Sequence, residues 1–268
     1  MSTLLFHEGE YDGVVLNSVV DGLESVTLIR AAGKYGLGAF MQGFETSASR
    51  SVVAPGRLIA FRDRDFDFPV PDTESLIIPT QGNQRVSYRT TIENYLLSPD
   101  TLAAFNDEKK LGITSLVDSA KAKTLLDEVA NDLIAYSAVR HALGATRKPA
   151  RLGTTWTGGS GNLPADLTHD HCKERAVAMV EALQREVQTI AVPTFETHLT
   201  SFHQRFSDSA FIQEGRYLVY FHGKDVMKRL SQKLGTAFPV KSYYQYALKH
   251  FDYKQFPDLV ALREWVAL

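Results

Sequence analysis

The sequence predicts an α/β protein built on a mostly parallel sheet with helices on both faces, followed by a helical C-terminal extension. Three observations carry this expectation. β-rich runs alternate with helix-patterned runs from residue 3 to residue 61, and strand–helix–strand order at that spacing implies right-handed parallel crossovers. The third β-rich run, Leu58-Ile-Ala-Phe61, passes directly into Arg-Asp-Arg-Asp-Phe-Asp67, an acidic loop at the strand end where such sheets bind ligands. From about Ile113 to Leu143 the apolar positions Leu116, Leu125, Leu126, Val129, Leu133 and Ile134 repeat at helical spacing.

The first strand is read from Thr3-Leu-Leu-Phe-His7, with a turn at Gly9 and a helix carrying Val14, Val15, Val19, Val20 and Leu23. Ser25-Val-Thr-Leu-Ile-Arg30 reads as the second strand, with Gly33-Lys-Tyr-Gly36 leading into a helix over about Leu37–Thr46. Ser75-Leu-Ile-Ile-Pro79 is expected as a fourth strand, and Thr90–Leu97 as a short element beyond it. A late strand is expected over Arg216-Tyr-Leu-Val-Tyr-Phe-His222, then a helix after Gly223-Lys224-Asp225 carrying Val226, Met227, Leu230 and Leu234. The remaining aromatic residues, Tyr243 to Trp265, read as packing or a partner surface, with packing the stronger reading.

On this plan acidic residues collect at strand ends. Glu8 follows the first strand and Asp12 lies about one helical turn on, so both can face one site. Asp63 and Asp65 follow the third strand. Such crowding of like charge is unfavourable unless a cation or basic partner neutralises it, and hard carboxylate oxygens at a strand end suit Mg²⁺ or Mn²⁺. Each feature also has a plainer reading: Glu10 or Asp12 as a helix-dipole complement, Glu93 as a helix N-terminal acid, Asp63–Asp67 as a polar loop.

Other motifs carry less. Arg140, His141, Arg147, Lys148 and Arg151 form a basic cluster that either satisfies a helix C-terminus or holds phosphate. The Gly-rich loop Gly153–Asn162 lacks the Gly-Lys-Ser/Thr ending of a phosphate-binding loop. His169-Asp-His-Cys172 has ligand-type residues but no second Cys or His pair at zinc spacing, so it reads as a helix N-terminus opening a run to about Val187. Lys228, Arg229 and Lys233 read as a solvated face.

A chain of 268 residues can bury a full core. Its formal charge of −2 gives no global attraction for nucleic acid, so polyanion binding would need local basic patches or bound metal. Cys172, the one cysteine, cannot form an internal disulfide, and no apolar run approaches the roughly 20 residues of a membrane span. The expected location is cytoplasmic, with no membrane partner.

Taken in order, Glu8-Gly-x-x-Asp12, Asp63-x-Asp65, Thr91-x-Glu93 and Gly223-Lys224-Asp225 resemble the motifs of a Toprim domain, a Rossmann-like fold found in topoisomerases, primases and overcoming-lysogenization-defect nucleases. The phrases Asp63-Arg-Asp-Phe-Asp67 and Ile92-Glu-Asn-Tyr-Leu-Leu97 are similar to those of the DUF4435 branch, which includes the Toprim effector of the PARIS anti-phage defence system. The resemblance covers roughly the first 100 residues most strongly. It implies a Toprim catalytic core over 1–110 and a mainly helical region over 111–268, with a returning strand–helix unit near 216–234.

What the resemblance implies for function is a divalent-metal-dependent nuclease. Glu8, Asp63 and Asp65 would ligate one Mg²⁺ or Mn²⁺, Asp12 and Glu93 with Thr91 a second, and Lys224 would stabilise charge near the scissile phosphate. Two such ions activate water and stabilise a leaving oxygen in phosphodiester hydrolysis. The implied substrate is RNA, with tRNA as one option, or DNA. The implied partners are a separate ATPase, since the chain has no Walker motif, and a second copy of the chain in a homo-oligomer. The alternative is a non-catalytic Toprim-like sensor or assembly subunit of an ATPase complex. Primase or topoisomerase chemistry has less behind it, with neither a zinc ribbon nor a nucleophilic-tyrosine domain identified.

Overall fold

The computed structural model describes residues 2–31, 33–48, 56–79, 82–147 and 191–268, with isolated helical positions between 174 and 185. The sheet has four parallel strands in the order β2-β1-β3-β4: β1 (Thr3–His7), β2 (Val26–Arg30), β3 (Arg57–Arg62) and β4 (Gln84–Val86). Between them lie α1 (Glu10–Val20) and α2 (Lys34–Ala48). The rest of the described chain is mostly helical: α3 (Pro99–Glu108), α4 (Ser119–Arg147), α5 (Val192–Phe206), α6 (Ser209–Gln213), α7 (Tyr217–Tyr220), α8 (Gly223–Leu234), α9 (Val240–Lys249) and α10 (Pro257–Ala267). This is the expected α/β class with its parallel sheet.

Strand pleating sorts the core into two faces. Phe6 and Ala60 pack with Leu37 and Met41 of α2, and Leu4, Ile29 and Leu58 join them. The alternate residues of β1 turn the other way, where His7 lies against Gly13 of α1. Helices therefore cover both faces. On α1 the buried stripe is Asp12, Val15, Leu16, Val19 and Val20, which carries a carboxylate into the core at the end nearest the strand tips. Arg263 of α10 donates to Asp21 O at 2.9 Å and to Val19 O, satisfying carbonyls that the end of α1 leaves open.

Two expectations are corrected. Ser75–Pro79 is not a strand: only Ile77 forms a bridge, antiparallel to Val86, and Ile78 is 66% exposed. The fourth strand is instead Gln84–Val86, too short to show an apolar pattern. Arg216–His222 is not a strand either. Tyr217–Tyr220 is a helical turn closed by Phe221 N donating to Tyr217 O at 2.8 Å, and it follows Gly215 at φ 68. The unit near 216–234 is thus helix–helix. Four apolar or aromatic residues in a row do not distinguish a buried helical turn from a strand.

The chain forms two compact units, Met1–Leu133 with Asp208–Leu268, and Ile134–Ser207. In the first, Arg229 and Lys233 of α8 pair with Asp132 at 2.8 and 3.2 Å, the exposed ion pairs expected of a solvated face. The C-terminal aromatics pack, as expected: Tyr243 meets Phe105 and Phe238, Phe256 meets Tyr95 and Phe251, and Arg85 lies 3.9 Å over Trp265. In the second unit His141 is buried against Phe202 and Phe206, and Arg140 lies over Tyr136. Lys148, Arg151, the glycine-rich loop Gly153–Asn162 and His169–Cys172 lie outside the described residues, as does the Arg147 side chain. Among the described residues no helix is long and apolar enough to cross a membrane.

Candidate functional site

The carboxyl ends of β1 and β3 define the site. Register Phe6↔Ala60 brings Glu8, one step past β1, and Asp63, one step past β3, to nearly the same level of the sheet. Gly9 lets the chain turn from β1 into α1, because a Cβ there would lie 2.6 Å from Asp12 Oδ2. His7 Nδ1 donates to Gly9 O at 2.9 Å and steadies the same turn. Asp12, in the first turn of α1, is buried.

The acidic loop is not a continued strand. β3 ends at Arg62, and Asp65 turns the chain with φ 47, a left-handed conformation that Asp tolerates better than most residues. Its amide donates to Thr90 O at 2.8 Å. Asp67, whose role the sequence leaves open, pairs with Arg62 at 2.9 Å.

Glu93 arrives on the 3₁₀ turn Ile92–Leu96, where it is both an acid in the first turn and a buried member of the site. Asn94 braces this turn. Its Oδ1 accepts from Thr91 N (3.0 Å), Thr91 Oγ1 (2.9 Å) and Gly223 N (3.0 Å), while its Nδ2 donates to Phe221 O at 2.9 Å. The Thr91 hydroxyl, which also accepts from Gly223 N at 3.2 Å, is thus engaged in docking α8. A Cβ on Gly223 would stand 2.8 Å from Asn94 N, so only glycine permits this approach. One residue on, Lys224 Nζ lies 3.4 Å from Glu93 Oε1, although the lysine side chain is 65% exposed.

Electrostatics show that these groups share one field. The Asp63 carboxyl is pushed well above the usual carboxylate range by burial first, then by repulsion from Asp12, Glu93, Asp65 and Glu8. Asp12 is raised to about 6, again by burial first, with Glu93 adding repulsion while backbone N–H groups of Asp12 and Gly9 and the Lys224 charge oppose it. The Lys224 ammonium is raised: burial works against its charge, but Glu93, Asp63 and Asp12 outweigh that cost. His222 Nε2, 3.7 Å from Asp65 Oδ1, stands at the same place, with its ring stacked on Phe66.

All seven expected residues, Glu8, Asp12, Asp63, Asp65, Thr91, Glu93 and Lys224, therefore belong to one region at the sheet's carboxyl edge. The reading missed His222, for which Gly223-Lys224 was the nearby signal, and Asn94 and Arg64, which resemble ordinary surface polar residues. The donor chemistry suits a hard divalent cation: Asp12 Oδ1, Asp63 Oδ1 and Glu93 Oε2 are buried with no hydrogen-bond partner. They are not drawn into a coordination shell. Among the described residues no three His, Cys, Asp or Glu side chains are grouped as ligands of one ion.

Fold and site together define an α/β protein with a buried, self-repelling acidic centre beside one lysine. No model of a known protein family matches the chain, and no curated protein matches it.

Proposed function

We propose that the chain is a Toprim-type, divalent-metal-dependent nuclease of the DUF4435 kind, acting on RNA or DNA. The observation that carries this reading is the set of three partnerless buried carboxylate oxygens, on Asp12, Asp63 and Glu93, beside Lys224. Carboxylates held this way are a net cost to the fold unless positive charge is supplied. Glu8, Asp63 and Asp65 would hold one Mg²⁺ or Mn²⁺, and Asp12 and Glu93 a second, with Thr91 acting through the turn that carries Glu93. Ions bound there would supply an activated water and stabilisation of the leaving oxygen.

The chain's own residues do the rest. Lys224, exposed at its tip and anchored at Gly223, offsets negative charge that grows on the phosphate. Glu93 holds that ammonium at the edge of the acidic centre until substrate phosphate competes for it. Gly9, Asn94 and Gly223 fix the three elements that deliver the charged groups, so small displacements would be costly to rate.

The test is cleavage of end-labelled RNA and DNA by the purified chain with Mg²⁺ or Mn²⁺, with Glu8→Ala as control. Metal-dependent cleavage lost in Glu8→Ala is expected. No cleavage of either polymer with either ion would leave the sensor or assembly-subunit reading. Within the nuclease reading the chain acts as the toxic effector of an anti-phage system restrained by a separate ATPase. The check is toxicity on expression alone and its suppression when an ATPase encoded beside it is co-expressed, if one is found there.

A further inference from the structure

We infer that Arg64 is a positioning residue that locks the Asp63–Asp65 loop, the Thr90–Glu93 turn and the start of α8 into one frame. Its consequence for rate rests on the nuclease reading; its consequence for structure does not. Arg64 is fully buried between two aspartates of the acidic loop, yet among the described residues no carboxylate lies within ion-pair distance of it. Its side chain donates only to neutral oxygens: Nε to Tyr88 O (3.0 Å), Nη1 to Phe68 O (3.2 Å), Nη2 to Thr90 Oγ1 (2.8 Å) and Val219 O (2.7 Å). Burying a guanidinium among neutral acceptors is costly, and burial lowers its pKa to about 10. Such a choice is explained by what the four bonds join.

Val219 O is the hub. It accepts from Arg64 Nη2, from Thr90 N at 3.1 Å and from Thr90 Oγ1 at 2.8 Å. Two residues on, Phe221 O accepts from Asn94, and Gly223 N then donates to Thr91 and Asn94. This seam ends at Lys224. A path of hydrogen bonds therefore runs from the residue between Asp63 and Asp65 to the residue before the lysine. The planar fork of Arg reaches acceptors on three segments at once, at Phe68, at Tyr88 and Thr90, and at Val219; the ammonium of Lys, three donors on one point, cannot.

The test is Arg64→Lys, which keeps charge and much of the bulk. By amide hydrogen exchange on the metal-free protein, residues 219–224 should lose protection by tenfold or more, while Phe6 of β1 and Ile29 of β2 keep theirs. In cleavage assays Arg64→Lys should lower the rate, and combined with Lys224→Ala the loss should be smaller than the product of the two single losses, because part of the Arg64 effect runs through Lys224. Unchanged exchange at Gly223, or losses that multiply in the double variant, would overturn the inference. If the parent does not cleave nucleic acid, the nuclease reading falls and the exchange result still decides on Arg64. Should Arg64→Lys fail to fold, Thr90→Val removes one acceptor of the fork at nearly constant volume, and unchanged protection of 219–224 would count against the seam equally.

Discussion

Replacing Asp12 by Asn should stabilise the metal-free protein, and by an amount that depends on pH in a defined way. Asp12 is raised from the ordinary 3.8 to about 6 in the folded chain. A carboxyl with a raised folded pKa is bound to its proton more tightly when folded, so the proton loss that accompanies rising pH costs stability. Below about pH 4 the group is neutral in both states and Asn should change little. Between about pH 4 and pH 6 the penalty grows, and above it the full value applies, roughly 3 kcal/mol at about 1.4 kcal/mol per pH unit. For a unit of this size that is a rise in Tm of about 6–12 °C for Asp12→Asn over the parent at pH 7. Asn keeps an acceptor for the backbone N–H groups of Asp12 and Gly9. The assay is thermal melting followed by circular dichroism from pH 4 to pH 7.5 in chelator. Because the difference between two variants is read, titration of groups outside the acidic centre cancels, while the relief of Asp63, which the Asp12 charge helps to raise, acts in the same direction. A difference that does not change with pH, or an Asn variant less stable at pH 7, would refute the reasoning.

On the nuclease proposal Gly223→Ala should lower cleavage at least tenfold, and on either reading it should reduce Tm, since the new methyl would press on Asn94 N at 2.8 Å; initial rates and melts measure both. Lys224→Ala should lower kcat while moving Tm by only a degree or two, because the side chain is 65% exposed; turnover equal to the parent would count against its role. Tyr95→Phe removes a buried hydroxyl that donates to Asp258, itself fully buried and accepting from Tyr88 N at 3.1 Å. The expected loss is about 1–3 kcal/mol in urea unfolding.

The first half of the fold was legible because periodicity changes cleanly: β1, β2 and β3 are short β-rich runs, and the stripe of α1 has helical spacing. Glu8, Asp63 and Asp65 were legible because they follow strand ends, and Asp12 because it lies one helical turn beyond Glu8. What failed was the reading of short apolar runs by composition. Leu76-Ile-Ile78 meets its neighbour only at Ile77, while Gln84-Arg-Val86, with polar side chains, pairs with β3 through backbone atoms that composition does not report. Asp63 and Asp65 were read as an acidic loop after the third strand, and the left-handed Asp65 that turns this loop leaves no mark in composition. Arg64 was invisible for the opposite reason: an arginine flanked by aspartates reads as solvated, and its acceptors come from Phe68, Tyr88, Thr90 and Val219, up to 155 positions away.

That separation gives the site a schedule. The unit that holds it is discontinuous in sequence, with Ile134–Ser207 between its two parts, so the carboxylates leave the ribosome well before the lysine. Roughly 130 residues at about 5–20 residues per second put about 7–26 s between Glu93 and Lys224. During that interval Arg64 has no Val219 carbonyl to bind and the Thr91–Asn94 turn has no Gly223 amide to receive. A nascent chain, or one truncated before α8, carries the acidic loop without the latch that sets its geometry. Completion of the centre waits on synthesis of α8.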